Sequence, residues 1–142
     1  MKQVDFYILS RKDETSRKLF ACKISEKAYK MEKSICISSP NKDYSEDLSK
    51  LLWSYKEESF LPNEIENKKT KENVKCILIT HNKETINKSD VLIDLSEIEV
   101  DECNKFERII EIVLNQEDSK KKARKRFVEF RDLGYKVKSH QI

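Results

Sequence analysis

Glycine is almost missing: the 142-residue chain has one, Gly134. A Walker loop and a GxGxxG dinucleotide fingerprint each need several glycines to wrap backbone around a phosphate, so neither kind of nucleotide binding is expected. Long apolar runs are missing too. A membrane-spanning helix needs roughly eighteen such residues, and the N-terminal MKQVDFYILSRKDE is too short and interrupted in its apolar part for a secretory signal, so a cytoplasmic protein is expected. Cys22, Cys36, Cys76 and Cys103 form no CxxC pair and have no histidine at ligand spacing, which leaves no zinc or redox motif. Cys22, Cys36 and Cys76 lie among apolar neighbours, all four cysteines are read as small reduced core residues, and only His81 and His140 could act as a base for a catalytic thiol. No metal and no cofactor is expected.

Charge, by contrast, is abundant. Charged residues make up 39% of the chain and apolar ones 37%, but the apolar residues fall in clustered runs, which predicts one folded domain over residues 1–142 under a heavily charged surface. The net charge of +3 hides an asymmetry. Residues 120–138 hold nine basic and two acidic side chains, leaving 20 basic against 24 acidic elsewhere. A local basic patch of this kind attracts phosphate or an acidic peptide.

The hydrophobic pattern alternates between strand and helix. Val4, Phe6 and Ile8 in VDFYIL have the period of a strand. Phe20, Ile24, Ala28 and Met31 recur at helical spacing and predict a helix over 13–32; SICIS reads as a short buried strand. After Pro40, Asp43 and Glu46 resemble a capping pair for a helix with the stripe Leu48, Leu51, Leu52 and Tyr55. SFLPNEI reads as irregular and the polar run 66–73 as a loop, followed by strands in VKCILIT and VLIDL. Phe106, Ile109, Ile110 and Val113 fit i, i+3, i+4, i+7 and predict a helix, and a last helix over 118–133 stops at Gly134. The fold class is therefore α/β: a single open, mainly parallel sheet with helices on both faces, Rossmann-like in outline but without the nucleotide motif.

Three constellations could carry function. On the wheel of the last helix, Lys120, Arg124, Arg131 and Phe127 share one arc, with Ala123 and Phe130 on the side that must be buried. Phe127 then lies on the seam between core and cations, a suitable receptor for a ligand that joins a hydrophobic group to carboxylates; a merely solvated Lys-rich face would give the same wheel. Trp53, Tyr55, Phe60, Leu61 and Pro62 crowd into LLWSYKEESFLPNEI, more aromatics than one helix face can bury, as at an interface hot spot or in a loop packed on the sheet edge. Asp94, Glu97, Glu99, Asp101 and Glu102 form an acidic cluster that a metal-dependent nuclease could use, or that could equally be a solvated loop and the first turn of a helix.

Trp53, Glu58, Ser59, Phe60 and Pro62, followed by VLIDLS and ARKRFVEFRDLGYKVK, resemble the chi subunit of the bacterial DNA polymerase III holoenzyme, as do VDFYIL and ACKISEKAYKMEKSICI nearer the N-terminus. The resemblance spans nearly the whole chain. It implies a non-catalytic accessory subunit of the clamp-loader complex, with one surface for the acidic C-terminal tail of single-stranded DNA-binding protein (SSB) and another for the psi subunit. Carried onto this sequence, the tail-binding site falls on Val113, Lys120, Arg124, Phe127 and Gly134, and the psi-facing surface on Trp53, Phe60 and Pro62. DNA is then met only indirectly, and no membrane is involved. The rival readings from the residues themselves are a small module that binds nucleic acid directly through the basic helix, and the metal-dependent nuclease.

Overall fold

A computed structural model describes residues 2–55, 61–65, 77–82 and 90–142. VDFYI of the expected strand VDFYIL lies in β1 (Gln3–Ile8), and Leu9 follows it. Asp13 opens α1 (Glu14–Lys30), its carboxylate accepting the Ser16 backbone N–H at 3.0 Å. Then come β2 (Ile35–Ser38), α2 (Lys42–Ser54), β3 (Asn63–Ile65), β4 (Ile77–Thr80), β5 (Val91–Asp94), a 3-10 turn (Val100–Lys105), β6 (Arg108–Val113), α3 (Glu117–Asp132) and β7 (Lys136–Gln141). The strands form one open sheet in the order β3-β4-β2-β5-β6-β1-β7, and every pairing is parallel.

Alternation along the strands builds two cores. Val4 and Phe6 of β1 and Ile109 and Val113 of β6 face α3 and the 3-10 turn, where they meet fully buried Phe106 and Phe130. Ile110 and Ile112 of β6 turn to the other face and pack with Ala21 and Cys22 of α1 and Leu48 and Leu52 of α2. Helices thus cover both faces, as a parallel sheet requires. Cys22, Cys36 and Cys103 are buried, and burial pushes the Cys22 and Cys103 thiols up to about 12. Among the described residues no helix is long and apolar enough to cross a membrane.

Several local expectations are corrected. Phe106, Ile109, Ile110 and Val113 do not share a helix: Phe106 ends the 3-10 turn and the other three lie in β6. β6 sits between β5 and β1 with residues 109–113 all buried, and a run that is apolar on both faces matches the helical spacing by accident. SFLPNEI ends in a strand, β3, and the unexpected β7 follows Gly134. The cap of α2 is Asn41, whose Oδ1 accepts the Tyr44 N–H at 2.8 Å, not the pair Asp43 and Glu46; Asp43 lies inside the first turn, where its charge suits the helix dipole. Met31 falls just past α1 and is 62% exposed, while Ala21, Cys22 and Ser25 form the buried face. Phe60, Cys76, Glu58, Ser59 and the run 66–73 lie outside the described residues.

Candidate functional site

The placement of α3 determines the site. Its N-terminus is tied to the loop before α1: the Asn115 N–H donates to the Arg11 carbonyl at 2.8 Å, and Gln116 Nε2 to that of Lys12 at 2.7 Å. At its other end Gly134 adopts φ +90, a left-handed conformation that favours glycine, and donates to the Arg131 carbonyl. The chain then turns so that Tyr135 packs edge-on against Phe130 (centroids 5.2 Å apart), and β7 begins.

Between α3 and β7 runs a groove of about 480 Å³. Phe6 and Ile8 of β1 and Val113 of β6 form its floor. Lys120, Ala123, Arg124, Phe127 and Val128 line the α3 side, and Ser139 and Gln141 the β7 side. Phe127 is half-buried with its ring 5.7 Å from that of Phe6, so one part of it belongs to the core and the rest to the groove. Lys120 and Arg124 form no ion pair among the described residues. An apolar floor beside unneutralised cations can hold a ligand that carries both an apolar group and carboxylates.

Four of the five residues expected at the tail site, Val113, Lys120, Arg124 and Phe127, line this one groove. Gly134 does not line it and instead ends the helix that forms its wall. Arg131 is exposed and pairs with Asp132 at 3.5 Å, away from the groove. Phe6, Ile8, Ala123, Val128, Ser139 and Gln141 complete the groove. Nothing in the sequence marks Phe6, Ile8, Ser139 and Gln141 as groove residues: strand alternation identifies one face of β1 but not which helix covers it, and the sequence pattern predicts no strand after Gly134.

The basic count of α3 overstates its free charge. Arg126 is 12% exposed at its side chain and points inward. Its guanidinium donates to Asp94 Oδ2 at 2.7 Å, Glu111 Oε1 at 2.8 Å and the Ile98 carbonyl at 2.5 Å. Asp94 is fully buried and also accepts from Ser38 Oγ and from the Ser96 and Ile98 N–H groups. Burial, and then the charge of Asp94, push the Glu111 carboxyl well above its ordinary value. A guanidinium therefore stands between these two carboxyl groups and pairs with Asp94, the buried member of the acidic cluster. Glu97 pairs with Lys122 at 3.4 Å, and Glu99, Asp101 and Glu102 are exposed; among the described residues no three potential metal ligands converge.

The aromatic surface lies elsewhere. Trp53, on α2, is 46% exposed, and Pro62 is half-buried just before β3. α2 packs toward β3 and β4, at the opposite edge of the sheet from β7 and on the opposite face from α3. Two separated surfaces result.

Together these features define a small α/β protein of open parallel sheet whose candidate site is a surface groove beside its last helix. Comparison with known proteins is consistent along the whole chain. The family model described as DNA polymerase III chi subunit, HolC, matches residues 1–138. DNA polymerase III subunit chi of Pseudomonas aeruginosa is 26% identical over 142 residues, covering 100% of this chain and 98% of that protein. That of Haemophilus influenzae is 22% identical over 141 residues, covering 99% and 98%. The chain belongs to the DNA polymerase III chi subunit family, and is a replication accessory subunit.

Proposed function

We propose that the chain is a non-catalytic cytoplasmic linker of the replicative polymerase, which holds the acidic C-terminal tail of SSB in the groove and contacts the psi subunit of the clamp loader through Trp53, Phe60 and Pro62. The observation that carries this reading is the convergence of Val113, Lys120, Arg124 and Phe127 on one groove with an apolar floor and unneutralised cations. The tail has several aspartates and ends in an apolar residue with a free carboxylate, so the floor accepts its last side chain while Lys120 and Arg124 pair its acids. The distance between this groove and the α2 edge supports two partners held at once.

Direct binding of nucleic acid by the basic helix is the reading to be separated from it. Inward-pointing Arg126 and paired Lys122 leave fewer cations for a phosphate backbone than the sequence count implies. Titration with a tail peptide and with a single-stranded oligonucleotide over a range of salt distinguishes them. Phosphate binding falls steeply with salt and is indifferent to base sequence, whereas tail binding should fail when the terminal apolar residue is removed at any salt. Tight binding of the oligonucleotide with no binding of the peptide would reject the linker reading.

A further inference from the structure

The strand that forms one side of the groove is also an unpaired edge of the sheet. β7 pairs with β1 on one side only, and among the described residues no strand lies on the other. The N–H groups of Lys136 and Ile142 donate to the carbonyls of Lys2 and Ile8 at 3.0 Å each. Because backbone groups alternate sides along a strand, those of Val137, Ser139 and Gln141 point outward, away from β1. The side chains of Ser139 and Gln141 line the groove, whereas Lys136 and Lys138 lie on the opposite face, exposed and without an ion pair among the described residues. One strand therefore presents a free hydrogen-bonding edge continuous with the groove and a cation at alternate positions.

We propose that the ligand of the groove continues along β7 as an added outer strand; this rests on the acidic tail being that ligand. An incoming strand places successive side chains on opposite faces of the sheet. Its acids on one face would meet Lys136 and Lys138, while its other side chains lie beside Ser139 and Gln141, and its backbone pairs with the outward groups of Val137, Ser139 and Gln141. The lysines also decide between occupants. A second copy paired through β7 would bring like charges together across the new edge, the device by which sheet edges resist self-association, whereas an acidic strand neutralises them.

The test uses the full chain with an SSB tail peptide and with the same peptide N-methylated at alternate backbone amides. Methylation of the amides that face β7 should weaken binding by roughly tenfold, and methylation of the other set should not, because each blocked amide loses about one hydrogen bond. Hydrogen exchange at the amides of Val137, Ser139 and Gln141 should slow when the unmodified peptide is added. Ser139→Pro removes an outward N–H without breaking the ladder to β1 and should bind more weakly than Ser139→Ala, which keeps that N–H. If the peptide binds but both methylated series bind alike and exchange is unchanged, the added strand is wrong and the groove reading stands. If no peptide binds, both are wrong. Slow exchange at these amides without peptide, together with a dimer in sedimentation, would assign the edge to a second copy and overturn the proposal.

Discussion

Phe127→Ala and Lys120→Ala should weaken tail binding by different physics, and salt separates them. Phe127 is half-buried, with its ring 5.7 Å from Phe6, and its free part lines the groove opposite the β7 side chains. A ligand side chain seated there would cover on the order of 40–100 Å² of apolar surface, which at about 25 cal/mol per Å² is about 1–2.5 kcal/mol. Truncation should therefore raise Kd by roughly fivefold to seventyfold. Its effect on folding should stay below the roughly 3–5 kcal/mol of a fully buried aromatic, so the variant remains folded for the assay. Lys120 is only half-buried, and its pair with a ligand carboxylate is worth under about 1 kcal/mol. Raising salt from about 0.1 M to about 1 M shortens the screening length from about 10 Å to about 3 Å, so most of the Lys120 loss should vanish while the Phe127 loss persists. Calorimetry of the tail peptide against both variants at the two salts is the assay. Equal salt sensitivity would mean that the groove is a purely electrostatic patch and that its apolar floor does not bind.

Arg124→Glu should abolish tail binding with a change of only a few tenths of a kcal/mol in stability, since the residue is an exposed helical side chain; a folded variant that binds as before would contradict the groove assignment. Arg126→Met should behave in the opposite way, costing about 3–5 kcal/mol of stability by leaving Asp94 and Glu111 buried without their cation; a loss under about 1 kcal/mol in chemical denaturation would show that the pair is not what holds α3 to the sheet. Burial opposes ionisation of Asp5, but its hydrogen bond with His140 at 2.9 Å and the charge of Arg108 outweigh this and lower its pKa below 3.8. Its contribution is therefore present above 3.8 and lost as pH falls through the lower folded value, so the stability gap between wild type and Asp5→Asn should close in that acid range; a gap that stays constant down to the acid limit would refute the linkage.

Much of this molecule was legible from periodicity. A helix over 13–32, the stripe Leu48, Leu52 on α2 and Gly134 as the stop of the last helix follow from apolar spacing and from the preference for glycine after a helix, and the structure has α1 over Glu14–Lys30, both leucines in the core and Gly134 at φ +90 just past α3. β6 was not legible because burial on both faces erases the period by which a strand is recognised. β7 was hidden for the opposite reason: KVKSHQ is exposed at most positions, and only pairing with β1 makes it a strand. The same contrast runs through the groove. Lys120, Arg124 and Phe127 share a helix face and can be grouped on a wheel, while Phe6, Ser139 and Gln141 come from strands that meet α3 only through the topology of the sheet. Arg126 shows the limit of charge counting, because a cation aimed at buried carboxyl groups is counted with the surface until its contacts are known.

The central claim is that the groove beside α3 binds the extreme C-terminus of SSB. It is tested most directly by immobilising the full chain and presenting SSB either intact or lacking its last few residues, at matched concentration and salt. The account predicts that intact SSB is retained and the truncated protein passes through. Equal retention of the two would contradict it.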